Sequence, residues 1–154
     1  MRSPLTLAVA ALVLSLLSGC SALLPAPPET PETEDVVGAW VSAGPGGQSA
    51  VLTLLDDGTL TLEDAPANVF VASSDSAPDW TDLDSTTGTW EIGEVTGDGG
   101  LIPFLTGYLE PTETRDGNYL RLQLGGTADE PTLSTPIGDP DAGDYFTFER
   151  STTQ

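Results

Sequence analysis

The chain has 154 residues, of which 24 are acidic and four basic, giving a formal net charge of −20 with no histidine and a single cysteine, Cys20. A negative field of this size repels phosphate backbones and anionic lipid heads, which excludes nucleic acid as a partner. With neither histidine nor lysine, the chain cannot assemble a Ser-His-Asp triad, a His-Glu-X-X-His zinc site or a Ser-X-X-Lys hydrolase centre.

Met1 to Cys20 has the order of an export signal. The amino terminus and Arg2 are positive, Leu5 to Leu17 is interrupted only by Thr6 and Ser15, and Leu17-Ser18-Gly19-Cys20 follows. As a helix, the apolar run reaches roughly 20 Å, short of the ~30 Å needed to span a bilayer. Plain secretion would leave an unpaired thiol with no evident use. The terminal Leu-Ser-Gly-Cys resembles the bacterial lipobox. The resemblance implies removal of residues 1–19, diacylglyceryl-Cys20 as lipid anchor with palmitate-type chains, and a location on the extracytoplasmic side of the cell membrane. Two acyl chains meet the requirement for stable anchoring. All 24 acids lie after this cysteine, against Arg115, Arg121 and Arg150.

Residues 20–35 read as a linker. Pro25, Pro27, Pro28 and Pro31 alternate with Glu29, Glu32, Glu34 and Asp35, and Pro28 to Thr33 is a short Pro-Glu-Thr repeat. Such a stretch has too little apolar surface to fold and favours extended polyproline II, reaching up to ~45 Å.

From Val36 the hydrophobic period becomes two. Candidate strands are Val36–Ser42, Val51–Leu55, Thr59–Glu63, Asn68–Ala72, Thr87–Ile92, Leu101–Leu109, Asn118–Leu124 and Tyr145–Glu149. Asp57-Gly58 and Asp116-Gly117 are hairpin signals, because glycine tolerates the positive φ of the turn. The alternation places Leu60 and Leu62, and Leu120, Leu122 and Leu124, toward the core, with Trp40 and Trp90 also inward. No window keeps a helical stripe for three turns. With no disulfide possible, the core alone holds the fold. The expectation is one all-β domain over 36–151 with a tail at 152–154: a single antiparallel meander of about eight strands closing into a small barrel, after a signal peptide and a disordered linker. Phe70, Phe104, Phe146 and Phe148 with the leucines are candidates to fill its interior.

Gly38-Ala39-Trp40 and Gly88-Thr89-Trp90 each open a strand and suggest a weak duplication. They resemble the Gly-X-Trp opening of lipocalin-type barrels. That resemblance implies a structural plug in which Trp40 and Trp90 close one end and Arg150 packs over the tryptophan. An ordered set covering nearly the whole domain is similar to a group of uncharacterised exported lipoproteins of high-G+C Gram-positive bacteria. It comprises Val37-Gly38-Ala39-Trp40, Asp57-Gly58-Thr59, Gly88-Thr89-Trp90-Glu91-Ile92 and Gly138 to Asp144, ending in Phe146-Thr147-Phe148-Glu149-Arg150. This likeness implies no activity.

Of the remaining chemistry, Asp139-Pro140-Asp141-Ala142-Gly143-Asp144 has the carboxylate spacing of half a calcium loop but lacks the distant glutamate, and Pro140 and Gly143 account for it as a turn. No metal, cofactor or catalytic residue is therefore assigned. Trp80 stands in the acidic stretch Ser73 to Asp84, where it either contacts a partner at the mouth of the barrel or folds back over the barrel end with Leu83. The reading is a monomeric, non-enzymatic, membrane-anchored binding module or envelope accessory protein, for a small apolar ligand or a cationic envelope partner. Its alternatives are a structural or protein-interaction lipoprotein with a filled barrel and, more remotely, a glycoside-processing enzyme using paired carboxylates.

Overall fold

The computed structural model describes residues 32–70, 76–97, 100–112, 118–127 and 130–152. The segments expected to form an export signal and a linker, up to Pro31 and including Cys20, lie outside them, as do Arg115 and the Asp116-Gly117 step. Eight antiparallel strands close into a barrel in sequence order: β1 (Gly38–Ala43), β2 (Ser49–Leu54), β3 (Thr59–Pro66), β4 (Leu83–Gly97), β5 (Gly100–Leu109), β6 (Asn118–Gly126), β7 (Pro131–Pro136) and β8 (Tyr145–Arg150). One helical turn, α1 (Thr33–Val36), precedes them. The described residues contain no helix long and apolar enough to cross a membrane, which says nothing of the barrel.

The β2–β3 hairpin shows how local chemistry sets the register. Gly58 takes φ 81°, and Asp57 accepts from both the Thr59 N–H (2.9 Å) and its hydroxyl (2.6 Å). Leu54 then pairs with Leu60 and Leu52 with Leu62, so the leucines of both strands share the inner face. Leu52, Leu54, Leu60, Leu62, Leu105, Leu120, Leu122, Leu133 and Phe148 are buried with Trp40, and together they fill the interior. A bulge between Leu62 and Ala65, with Asp64 at φ 52°, bends β3 so that Ala65 and Pro66 turn inward.

Several expectations differ from what is observed. Asn68–Ala72 is not a strand over its described part: Ala67–Phe70 is a 3₁₀ turn that buries the adjacent Val69 and Phe70. A strand would send neighbouring side chains to opposite faces, whereas this turn lays both against the barrel end, with Phe70 edge-on to Phe146 at 5.8 Å. The eighth strand is instead β7, whose only buried side chain is Leu133. Just before residue 36 the chain forms α1, where the Asp35 carboxylate accepts from the Glu32 N–H at 2.8 Å.

Phe104 does not fill the interior. It is half-buried on the outer face, where its ring covers Gly93 of the paired strand and lies under Arg121 at 4.3 Å. Leu124 packs against the core as expected but is only half-buried, and Leu83 is exposed. The β4–β5 hairpin also outruns its neighbours: β4 pairs with β5 as far as Gly97 and Gly100, whereas β3 stops at Thr89 and β6 begins at Phe104.

Candidate functional site

The chain enters at one end of the barrel, and that end is closed from within. Trp40 is 1% exposed, and its indole N–H donates to the Val36 carbonyl at 2.9 Å, tying α1 to the barrel floor. The Arg150 guanidinium lies 5.3 Å from the Trp40 ring and donates to the Val37 carbonyl at 2.7 Å. Gly38 is required here for its backbone, which holds φ 134°; a Cβ there would make only ordinary contact with the Arg150 Nη2, at 3.8 Å. Trp90 is also buried, but its polar link goes to the β2–β3 turn, with its indole N–H on the Leu55 carbonyl (3.0 Å) and its backbone N–H on Gly58 (2.8 Å). The two Gly-X-Trp segments therefore use their glycines differently. Gly38 supplies a positive φ, while Gly88 gives close approach to the Tyr108 carbonyl across the β4–β5 pair.

The barrel closes between β1 and β8 over a short seam. Only Trp40–Arg150 and Val41–Glu149 pair, supplemented by the Ser151 N–H on the Ala39 carbonyl at 2.8 Å. In this register Ala43 would next meet Thr147, but the pairing has ended. Hydrogen-bonding direction alternates along a strand. Since Ala39 bonds across the seam and Gly44 bonds back to Gln48, the N–H and C=O of Ala43 and Thr147 point into the opened seam.

Trp80 occupies the mouth of that opening. A Cβ on Gly44 would sit 2.6 Å from its ring, and its ring centroid is 6.0 Å from that of Phe146. The loop carrying it is pinned at three points. Gln48 Nε2 donates to the Trp80 carbonyl (2.9 Å), Asn68 bonds both Ala77 O (2.8 Å) and Asp79 N (2.9 Å), and the Ala67 N–H reaches the Asp82 carbonyl (2.9 Å). Asp79 also accepts from the Thr81 hydroxyl (2.7 Å) and backbone N–H (3.0 Å); these bonds, the hydroxyl first, hold its carboxyl below the ordinary aspartate value. Of the two sequence alternatives for this segment, Trp80 packs back against the core while Leu83 stays exposed. Trp80 is only half-buried, and among the described residues its indole N–H has no acceptor.

A cleft of about 670 Å3 runs along the outside of this seam, lined by Ala43, Trp80, Ile137, Tyr145, Thr147 and Glu149 among others. Tyr145 is 46% exposed. Sequence reasoning did not find this cleft, because its walls come from positions far apart in the chain and its existence depends on where strand pairing stops. The unattributed Trp80 was the one available signal.

On the opposite wall, Phe104, Arg121, Tyr108 and Glu91 form an outer-face strip. The Tyr108 hydroxyl donates to Glu91 at 3.0 Å, and this bond to a carboxylate raises the phenol above its usual pKa. At 139–144, Asp139 accepts from the Asp141 N–H at 3.0 Å to cap a 3₁₀ turn, and Gly143 takes φ 78°. No three metal-ligating side chains gather among the described residues. Comparison with protein-family models, curated proteins and solved structures finds no match to this chain.

Proposed function

We propose that the chain is an extracytoplasmic lipoprotein, anchored by diacylglyceryl-Cys20, whose barrel is a non-enzymatic scaffold that presents the Trp80 cleft to a partner. One observation carries this reading: the barrel axis is packed with the protein's own side chains, while the cleft of about 670 Å3 lies outside, on the seam. This favours an interaction lipoprotein with a filled barrel over a calyx for a small apolar ligand. The two ends also suit display. α1 and the preceding linker join at the Trp40 end, and Trp80 sits at the other, so a tether from Cys20 leaves the Trp80 end directed away from the lipid. The strongly acidic surface makes a cationic partner the best electrostatic match.

Two measurements test the reading. Cys20→Ala should abolish labelling by a lipid precursor and release the protein from the membrane fraction. In intact cells, Tyr145→benzoylphenylalanine should give a discrete photo-adduct that Trp80→Ala removes, while the same crosslinker at Tyr119 on the far wall gives none. Lipid labelling of the Cys20 variant refutes the anchor. Equal adducts from both positions, or none from either, refute the display site.

A further inference from the structure

The chemistry of the cleft narrows its partner further, on the premise that the cleft is a binding site. Its floor is the place where two strands stop pairing. Past Val41–Glu149 the β1–β8 ladder ends, and there the main-chain N–H and C=O of Ala43 and Thr147 face the seam. An open strand edge of this kind is a template for another extended backbone. Such an edge is usually covered, charged or twisted away. Here it is flanked by the indole of Trp80, whose N–H lacks an acceptor among the described residues.

The side chains around the edge select among extended segments. Tyr145, Thr147 and Glu149 share the outward face of β8, and Val41 and Ala43 that of β1. An added strand would thus meet a carboxylate at one end and the Trp80 and Ile137 side chains at the other. The one cation in the cleft, Arg150, is committed to the Val37 carbonyl and the Trp40 ring. The free charge facing a ligand is therefore negative, as is the whole surface at −20.

We propose that the cleft binds an extended, basic polypeptide segment that adds as a short strand to the seam edge of β8. Its backbone would pair with Thr147 and Ala43, an apolar side chain would lie against Trp80, and a lysine or arginine would face Glu149. A helical partner of equal charge satisfies none of the open backbone groups. A sugar satisfies them without selecting for positive charge.

The test uses the full chain in mild detergent and a dye-labelled, end-blocked peptide of alternating lysine and valine, about six residues long as befits a strand. Binding should be saturable. N-methylation of one alternate set of peptide nitrogens should weaken it about tenfold, the effect of deleting main-chain hydrogen bonds. The other set should tolerate methylation better. Exchange of the Thr147 and Ala43 amide protons should slow in the complex, and replacing lysine by glutamate should abolish binding. Trp80→Ala should weaken the parent peptide about tenfold, loss of an aromatic anchor being of that order. Tyr145→Ala serves in its place if circular dichroism shows the first variant unfolded.

Should Trp80→Ala and Glu149→Gln weaken the peptide while both methylated forms bind like the parent, strand addition is overturned and the cleft survives as a site. Should neither variant matter, and salt alone remove binding, the attraction is diffuse charge and both readings fall. Failure of every peptide to bind, with amide exchange unchanged, overturns the strand-addition proposal alone.

Discussion

Where the chain enters the barrel, Trp40 is buried, its N–H is bonded to Val36, and Arg150 covers its ring. At the far end, Trp80 is held by its backbone carbonyl and ring contacts, while its indole N–H has no acceptor among the described residues. The two tryptophans are similar in bulk and differ in how completely the fold satisfies them. A buried donor without an acceptor costs ~1–3 kcal/mol, so Trp40 sits deep only because Val36 supplies one. Trp80, left unsatisfied, keeps one side to solvent. One end is finished by the fold itself; the other, on the proposed reading, is where a partner would complete it.

The largest consequence is for stability. Trp40→Ala should cost ~3–5 kcal/mol, as for other large core residues, which is a major share of the ~5–15 kcal/mol typical of a domain. Denaturant midpoints, with unchanged slopes, measure it. Trp80→Ala should cost about 2 kcal/mol or less, since a half-buried ring removes less area from water. Equal losses would mean that the two ends are alike.

Substitution by phenylalanine sharpens the comparison because it keeps the ring and removes the N–H. Trp40→Phe leaves the Val36 carbonyl without its donor and should cost about 1–2 kcal/mol beyond any packing change. Trp80→Phe deletes a donor that has no acceptor among the described residues and should stay within about 0.5 kcal/mol. The arginines form a second pair. Arg150→Ala loses a cation–π contact and a bond to the Val37 carbonyl, and should cost about 1 kcal/mol; Arg121→Ala, over the half-exposed Phe104, should cost less.

Much of the fold was legible because it is local. Leu60 and Leu62 alternate, Asp57-Gly58 turns, and both Gly-X-Trp tryptophans point inward. The strand count, however, came out as eight through two errors that cancel. Asn68 to Phe70 reads as β-forming from its valine and phenylalanine, yet burying both neighbours against Phe146 requires a helical turn. β7 carries one buried leucine between two prolines, too little pattern to register, and is a strand because β6 and β8 offer it edges on both sides. The prolines are tolerated because they sit at its first and last positions. Phe104 was misplaced for a related reason: its inward or outward phase depends on pairing with Gly93, which no local signal states. The cleft was less legible still. That β1 and β8 part after Val41–Glu149 is a property of closure, not of either strand.

The smallest predicted effect separates the two ends by pH. Asp57 on the Trp40 side and Asp79 in the Trp80 loop are held the same way, each carboxylate accepting from a threonine hydroxyl and N–H two residues on. Both carboxyls are held below the ordinary aspartate value, the threonine hydroxyl being the first cause. A carboxyl lowered on folding favours the folded form fully above its unfolded pKa, and that contribution disappears as pH falls through the folded value. Acidification below about pH 4 should therefore loosen both turns. The consequences should differ, because Asp57 closes a hairpin whose strands are zipped into the barrel, whereas Asp79 helps to pin a loop that carries Trp80 over an incomplete seam. Amide exchange of Thr81 should accelerate at a higher pH than that of Thr59, after correction for intrinsic rates, and Asp79→Asn should reproduce the loop effect at neutral pH. If Thr59 opens first, the Trp80 end is the better secured of the two, and the contrast between the ends is reversed.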